Sequence, residues 1–150
     1  MPEFILDHGT VETAKQFRAL DSFTQGYIEA MFFTSEGVDN DYEPGHENDL
    51  ANISVADLAP SALQIIIENC EAFQRDNAAL LEQAYGVTGK YEKFPYDESR
   101  AGNDYWYTRN GHGTGFWDRG LGDIGEALAK AARYSERSLY RGDDGKLYLA

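Results

Sequence analysis

Asn110-Gly111 lies within the run "DYWYTRNGHGTGFWDRG", Asp104 to Gly120, and constrains the fold more than any other pair in the chain. Asn and Gly both tolerate the positive φ that a type I′ turn needs at its two central positions, so the pair predicts a β-hairpin with a two-residue loop. The register that follows sets Arg109 opposite His112, Tyr107 opposite Thr114, Trp106 opposite Gly115 and Tyr105 opposite Phe116. Alternation then turns Asp104, Trp106 and Thr108 toward the expected core, with Trp106 covering Gly115. The other face carries Tyr105, Tyr107, Arg109, His112 and Thr114, and is a candidate binding surface because Tyr and Arg are favoured contact residues.

The rest of the chain predicts helices and a second hairpin. Ser22-Phe-Thr-Gln25 has capping-box form and opens a helix from about Phe23 to Phe33. Ser54-Val-Ala-Asp57 predicts one helical turn before Pro60, which suits the first position of the next helix. Leu63, Ile66, Ile67, Cys70, Phe73, Leu80, Leu81 and Ala84 hold a helical period from about Ser61 to Tyr85, interrupted at Asn77. Tyr91 and Phe94 are the expected core contacts of the connector that follows. Asp123-Ile-Gly-Glu126 reads as another capping box, opening a short helix to about Ser135. "SLYRGDDGKLYLA" reads as a hairpin with Asp144-Gly145 in its turn and Leu139, Leu147 and Leu149 facing inward. The expected fold is a single α+β domain over residues 1–150. In it, an acidic helical part (1–98) covers an antiparallel sheet of about four strands, two hairpins around a short helix, in residues 99–150.

Charge limits the function classes. Residues 1–98 hold 19 acids against 5 bases (−14) and residues 99–150 hold 7 against 8 (+1), giving the whole chain −13. Between Arg18 and Arg75 there is no Lys or Arg. Such a field repels phosphate backbones and attracts basic protein surfaces, though charge of this size also serves solubility alone. "SEGVDNDYEPGHENDLANIS" reads as a long acidic loop, and Asp39, Asp41, Glu43, Glu47 and Asp49 are the expected partner-binding residues. As a calcium loop starting at Asp39 it fails on spacing, since Pro44 stands where Gly belongs and Leu50 where the closing Glu belongs. His46 lacks a second histidine at zinc-ligand spacing. No metal or cofactor is expected.

The single Cys70 and the absence of a leader pattern or a long apolar run point to the cytoplasm without membrane insertion. Cys70 falls on the apolar face of its helix and is expected to be buried and inert.

"AGNDYWYTRNGHGTGFWDRG", with the upstream "LAPSALQIIIENCEAFQ" and the closing "DDGKLY", resembles a family of small proteins of unassigned activity encoded by phages, plasmids and bacterial genomes. The likeness runs from about Ile53 to Tyr148. It implies a phage-type accessory protein acting in a bacterial cell, brings no catalytic residues, and leaves the Glu43–Asn52 stretch outside the matched part.

Three functions compete. An anti-defence protein would bind and inhibit a host nucleic-acid-binding protein through carboxylates that imitate phosphates. A small hydrolase-like enzyme would use His112 as general acid or base, Asp118 or Asp104 to orient it and Arg109 as an anion clamp. Against this, His112 and Asp118 stand about 20 Å apart on an extended strand. The chain also lacks a serine elbow, a phosphate loop and a G-x-G-x-x-G fingerprint. A regulatory module would instead bind a protein through the Tyr105, Tyr107 and Arg109 face.

Overall fold

A computed structural model of the chain describes residues 10–35, 54–89 and 93–150. Six α-helices and one two-stranded sheet are found among them: α1 (Val11–Arg18), α2 (Ser22–Ser35), α3 (Pro60–Asp76), α4 (Ala78–Ala84), α5 (Glu98–Arg109), α6 (Asp123–Ala132), β1 (Leu139–Arg141) and β2 (Leu147–Leu149). Single 3-10 turns stand at Val55–Asp57 and Phe116–Asp118.

The expected four-stranded sheet does not form, because residues 98–109 are helical. Three causes favour the helix. Asp97 caps it, its Oδ1 accepting the Arg100 N–H at 2.9 Å. Ala101, Tyr105 and Thr108, like Gly102, Trp106 and Arg109, recur at helical spacing and are all buried. Finally, Gly102 and Gly26 let the backbones of α5 and α2 meet. A Cβ on Gly102 would fall on the Phe23 carbonyl, and one on Gly26 on the Ser99 carbonyl. Glycine inside a helix costs about 1 kcal/mol against alanine. Close packing of the two helices offsets that cost, aided by Asn103 Nδ2 donating to the Gly26 carbonyl at 2.6 Å.

Asn110-Gly111 therefore closes a helix instead of joining two strands. Gly111 has φ +70°, its N–H donates to the Thr108 carbonyl at 3.3 Å, and the His112 N–H reaches the Tyr107 carbonyl at 3.0 Å. These are the two bonds of a Schellman cap, and the His112 ring lying edge-on to Tyr107 supplies the contact that accompanies it. Trp106 does not cover Gly115; its indole donates to Thr34 Oγ1 at 2.8 Å.

The second hairpin forms as expected. Leu139 pairs with Leu149, Tyr140 with Tyr148 and Arg141 with Leu147, and all three leucines are buried. Gly145 takes φ +82° in the turn. The Ala59 N–H donates to the Leu147 carbonyl at 2.9 Å, tying β2 to the start of α3.

Among the helix starts, Ser54 and Asp57 form a capping box and Pro60 opens α3. At α2 the cap is Asp21 rather than Ser22: its Oδ1 accepts the Thr24 N–H at 2.7 Å, while Gln25 reaches back to the Leu20 carbonyl. At α6 the cap position is Gly122, without a side-chain bond. The long helical period divides at Asn77 into α3 and α4. Of the two core contacts expected in the connector, Phe94 is exposed and Tyr91 lies outside the described residues; Tyr96 is buried instead.

One hydrophobic cluster draws residues from both charge halves, including Phe23, Tyr27, Ile66, Phe73, Tyr105, Phe116, Leu128 and Leu147. Phe73 stacks on Tyr105 with ring centroids 4.2 Å apart and on Phe116 at 5.7 Å. Each such ring contributes roughly 1.5–3 kcal/mol through burial.

Candidate functional site

The residues of the Arg-Asn-Gly-His-Gly run and its continuation are spent on the fold. Arg109 ends α5 with 4% of its surface exposed. Its Nη1 donates to Tyr27 Oη at 3.0 Å and to Asn69 Oδ1 at 2.9 Å, its Nε donates to the Ser135 carbonyl at 2.8 Å, and its guanidinium lies 4.9 Å from the centre of the Tyr105 ring. Asn110 Nδ2 donates to the Trp106 carbonyl, and its Oδ1 accepts the Arg137 N–H at 2.8 Å. Thr108 Oγ1 accepts the Phe116 N–H, and Thr114 Oγ1 donates to Asp118 Oδ2 at 3.1 Å.

Asp104, fully buried, joins α5 to the turn after Phe116. Arg119 Nε lies 3.1 Å from each of its oxygens and Nη2 lies 2.9 Å from Oδ1, while the Tyr96 hydroxyl donates to Oδ2 at 2.7 Å. Burial pushes the Asp104 carboxyl up, against the opposing pull of Arg119 and Tyr96. Desolvation and the neighbouring Asp104 raise the Tyr96 phenol well above its usual range.

These placements separate the sequence-derived site residues. Tyr105, 6% exposed, and Arg109 are core, whereas Tyr107 and His112 are half-buried on another side and meet each other. The exposed Tyr105–Tyr107–Arg109 face is therefore not assembled, because a helix puts residues 105 and 109 on one side and 107 on the other. Asp104 is held by Arg119 and Tyr96, and Asp118 by Thr114, so neither carboxylate is placed to orient His112. Asp39, Asp41, Glu43, Glu47 and Asp49 lie outside the described residues. Cys70 is buried, and its thiol is pushed up to about 12, first by desolvation.

A different site appears where α2 and α5 begin side by side. A groove of about 370 Å³ is lined by Ser22, Tyr85, Tyr96, Asp97, Glu98 and Ser99. The Tyr85 and Tyr96 rings stack with centroids 6.5 Å apart and planes 22° from parallel. Burial first, and then the nearby carboxylates of Glu98, Asp21 and Asp97, push the Tyr85 hydroxyl above its ordinary range. Asp97 and Asp21 each use one oxygen as a helix cap, and Asp21 Oδ2 also accepts Gln74 Nε2 at 3.2 Å. Ion pairs among the described residues join Arg75 to Asp76 and Arg119 to Asp104, and neither involves Asp21, Asp97 or Glu98. Sequence reasoning missed this groove because its residues come from three separated stretches. Its one visible signal was the acidic excess of residues 1–98.

A second, wider concavity of about 820 Å³ lies on the hairpin between Tyr140, Arg141 and the 142–145 turn. Tyr148 stacks on Tyr140 there and donates its hydroxyl to Asp144 Oδ2. No helix among the described residues is long and apolar enough to cross a membrane.

No family model, curated protein or solved structure matches the chain. The phage-type likeness thus rests on its motif alone.

Proposed function

We propose that this chain is a non-enzymatic accessory protein that binds a basic surface on another protein. The partner class is a nucleic-acid-binding protein of a bacterial host, whose phosphate-binding groove the carboxylates occupy and thereby inhibit. The observation that carries this reading is the charge asymmetry: 19 acids against 5 bases in residues 1–98. Two of those acids, Asp97 and Glu98, line one groove and form no ion pair among the described residues. Such a field raises the association rate with a basic partner and lowers it with nucleic acid. The phage-type resemblance and a cytoplasmic setting belong to the same proposal. The hydrolase reading gains no support, since Arg109 and Asp104 are committed to structural partners.

The test begins with a partner retained from bacterial lysate at low salt and released at high salt. Its association kinetics are measured against the parent protein and a variant carrying Asp39→Asn, Asp41→Asn, Glu43→Gln, Glu47→Gln and Asp49→Asn. The expected result is slower association, a flatter dependence on ionic strength and competition by duplex DNA for the same partner. Unchanged rates at both ionic strengths, together with no competition by DNA, would sink the proposal.

A further inference from the structure

Arg109 carries a charge that the fold leaves without a counter-ion. Of the five N–H groups on its side chain three are used, on Tyr27 Oη, Asn69 Oδ1 and the Ser135 carbonyl, and all three acceptors are uncharged. The two N–H groups on Nη2 meet no acceptor among the described residues. No side-chain nitrogen or oxygen among those residues is both fully buried and unbonded, so the small exposed part of Arg109 includes Nη2. The chain has 26 acids against 13 bases, yet the ion pairs among the described residues belong to Arg75 and Arg119. Taking a guanidinium out of water without a carboxylate is costly, and an anion at Nη2 would offset part of that cost.

A second cation stands beside the first. The segment after α6 crosses the end of α5, with the Ser135 carbonyl on Arg109 Nε at 2.8 Å and the Arg137 N–H on Asn110 Oδ1 at 2.8 Å. Exposed Tyr134, at φ +65°, makes the bend just before this crossing in a conformation that side chains disfavour. Arg137 is half-buried, and its guanidinium has neither a hydrogen bond nor an ion pair among the described residues. The Tyr105 hydroxyl, also without a hydrogen bond there, feels both charges: burial raises it above its ordinary range, and Arg109 and Arg137 pull it back.

Charge identifies the anion. The two guanidiniums contribute two unit charges and the α5 C-terminus roughly −0.5, leaving about +1.5. A carboxylate or a phosphodiester supplies one negative charge, whereas a phosphate monoester carries about −1.5 to −2 near neutral pH. Arg109 and Tyr105 are almost wholly buried, so the opening admits a small terminal group and not a duplex backbone. We infer that Arg109 Nη2, the Arg137 guanidinium and the Tyr105 hydroxyl form a binding site for a phosphate group, free or at the end of a small molecule. The inference does not rest on the acidic-surface reading, since the site takes the opposite charge and lies in residues 99–150.

The test uses the full chain at constant ionic strength, with inorganic phosphate as the probe, followed by NMR shifts of backbone amides and of the Arg109 Nε–H. Phosphate should move the Asn110, Ser135 and Arg137 amides saturably, with a Kd of about 1 mM. Acetate, with the smaller charge, should bind at least about fivefold more weakly. Arg137→Gln removes a side chain that makes no bond in the fold, so it should leave Tm unchanged and weaken phosphate binding about fivefold to tenfold. Tyr105→Phe keeps the ring on Phe73 and should weaken binding about twofold to threefold. Glycerol 3-phosphate binding as tightly as inorganic phosphate, or more tightly, would name a phosphorylated small molecule as the source, and clearly weaker binding would name free phosphate; each supports the site. The absence of saturable shifts up to about 20 mM phosphate would overturn the inference, as would acetate binding as tightly or Arg137→Gln leaving the affinity unchanged.

Discussion

Asn110-Gly111 and Asp144-Gly145 offer the same local chemistry, a short polar residue followed by a glycine with positive φ, yet one closes a helix and the other turns a hairpin. The difference lies in what flanks them. Around Asp144-Gly145, Leu139-Tyr140-Arg141 and Leu147-Tyr148-Leu149 alternate inward and outward, and the facing tyrosines stack at 5.9 Å. Before Asn110-Gly111, the buried residues recur every three to four positions as far back as Ala101. A glycine in the left-handed region states that the chain turns, and the period of the residues before it decides from what.

The strongest way to break this comparison is to attack the helix that ends at Gly111. Gly102→Val places a side chain on the Phe23 carbonyl, where only backbone stands to give way, and should cost about 4 kcal/mol or more. Thermal unfolding checks it, with an expected fall in Tm of roughly 10 °C. A ribbon starting near Asp104 would leave Gly102 outside the paired strands and tolerant of valine.

Next comes the Asp104–Arg119 pair, which the helix brings to 2.9 Å. Asp104→Ala strands a partly buried guanidinium and should cost about 3 kcal/mol. A double-mutant cycle with Arg119→Ala, read from denaturant midpoints, should return a coupling energy of about 2 kcal/mol. Additivity within about 0.5 kcal/mol would show that the two side chains do not meet.

The turns themselves give a smaller and paired effect. Gly111→Val and Gly145→Val should each lose about 1–2 kcal/mol, because both positions hold positive φ. Gly111→Asn should recover part of that loss, as suits a helix C-terminus. Asn110→Ala should also destabilise, since its side chain bonds the Trp106 carbonyl and the Arg137 N–H. Unfolding curves of the four variants make the comparison.

The least perturbing probe is Cys70 itself. Its thiol is buried in α3 and held protonated, so alkylation reports opening of the helical core. Gly111→Val should accelerate labelling, while Gly145→Val, acting at the hairpin, should leave the rate near that of the parent. Equal acceleration by both would mean that the two turns open as one unit.

How much of this was legible follows the reach of each signal. Pro60 at a helix start, the Ser54–Asp57 capping box and Leu139, Leu147 and Leu149 as inward residues depend on neighbours within a few positions, and all three can be read from the sequence. The α5 helix could not be read from its own propensity. Its composition of glycine, asparagine, aromatics and threonine is poor for a helix, and packing against Gly26, far away in the chain, overrides it. Asp97 before Glu98 was the available clue, a cap residue with an acid in the first turn. The groove was invisible for the same reason: Ser22, Tyr85 and Glu98 become neighbours only after the helices have packed.

Arg109 has a consequence for the order of events in folding. Its acceptors sit 82, 40 and 26 residues away along the chain, on α2, on α3 and after α6. Until all three have arrived the guanidinium stays hydrated, because burying it half-satisfied is costly. Its contacts therefore close late, on the native side of the folding barrier. Arg109 is therefore expected to act as a latch: its loss should leave the folding rate near that of the parent and appear, in stopped-flow kinetics, as faster unfolding.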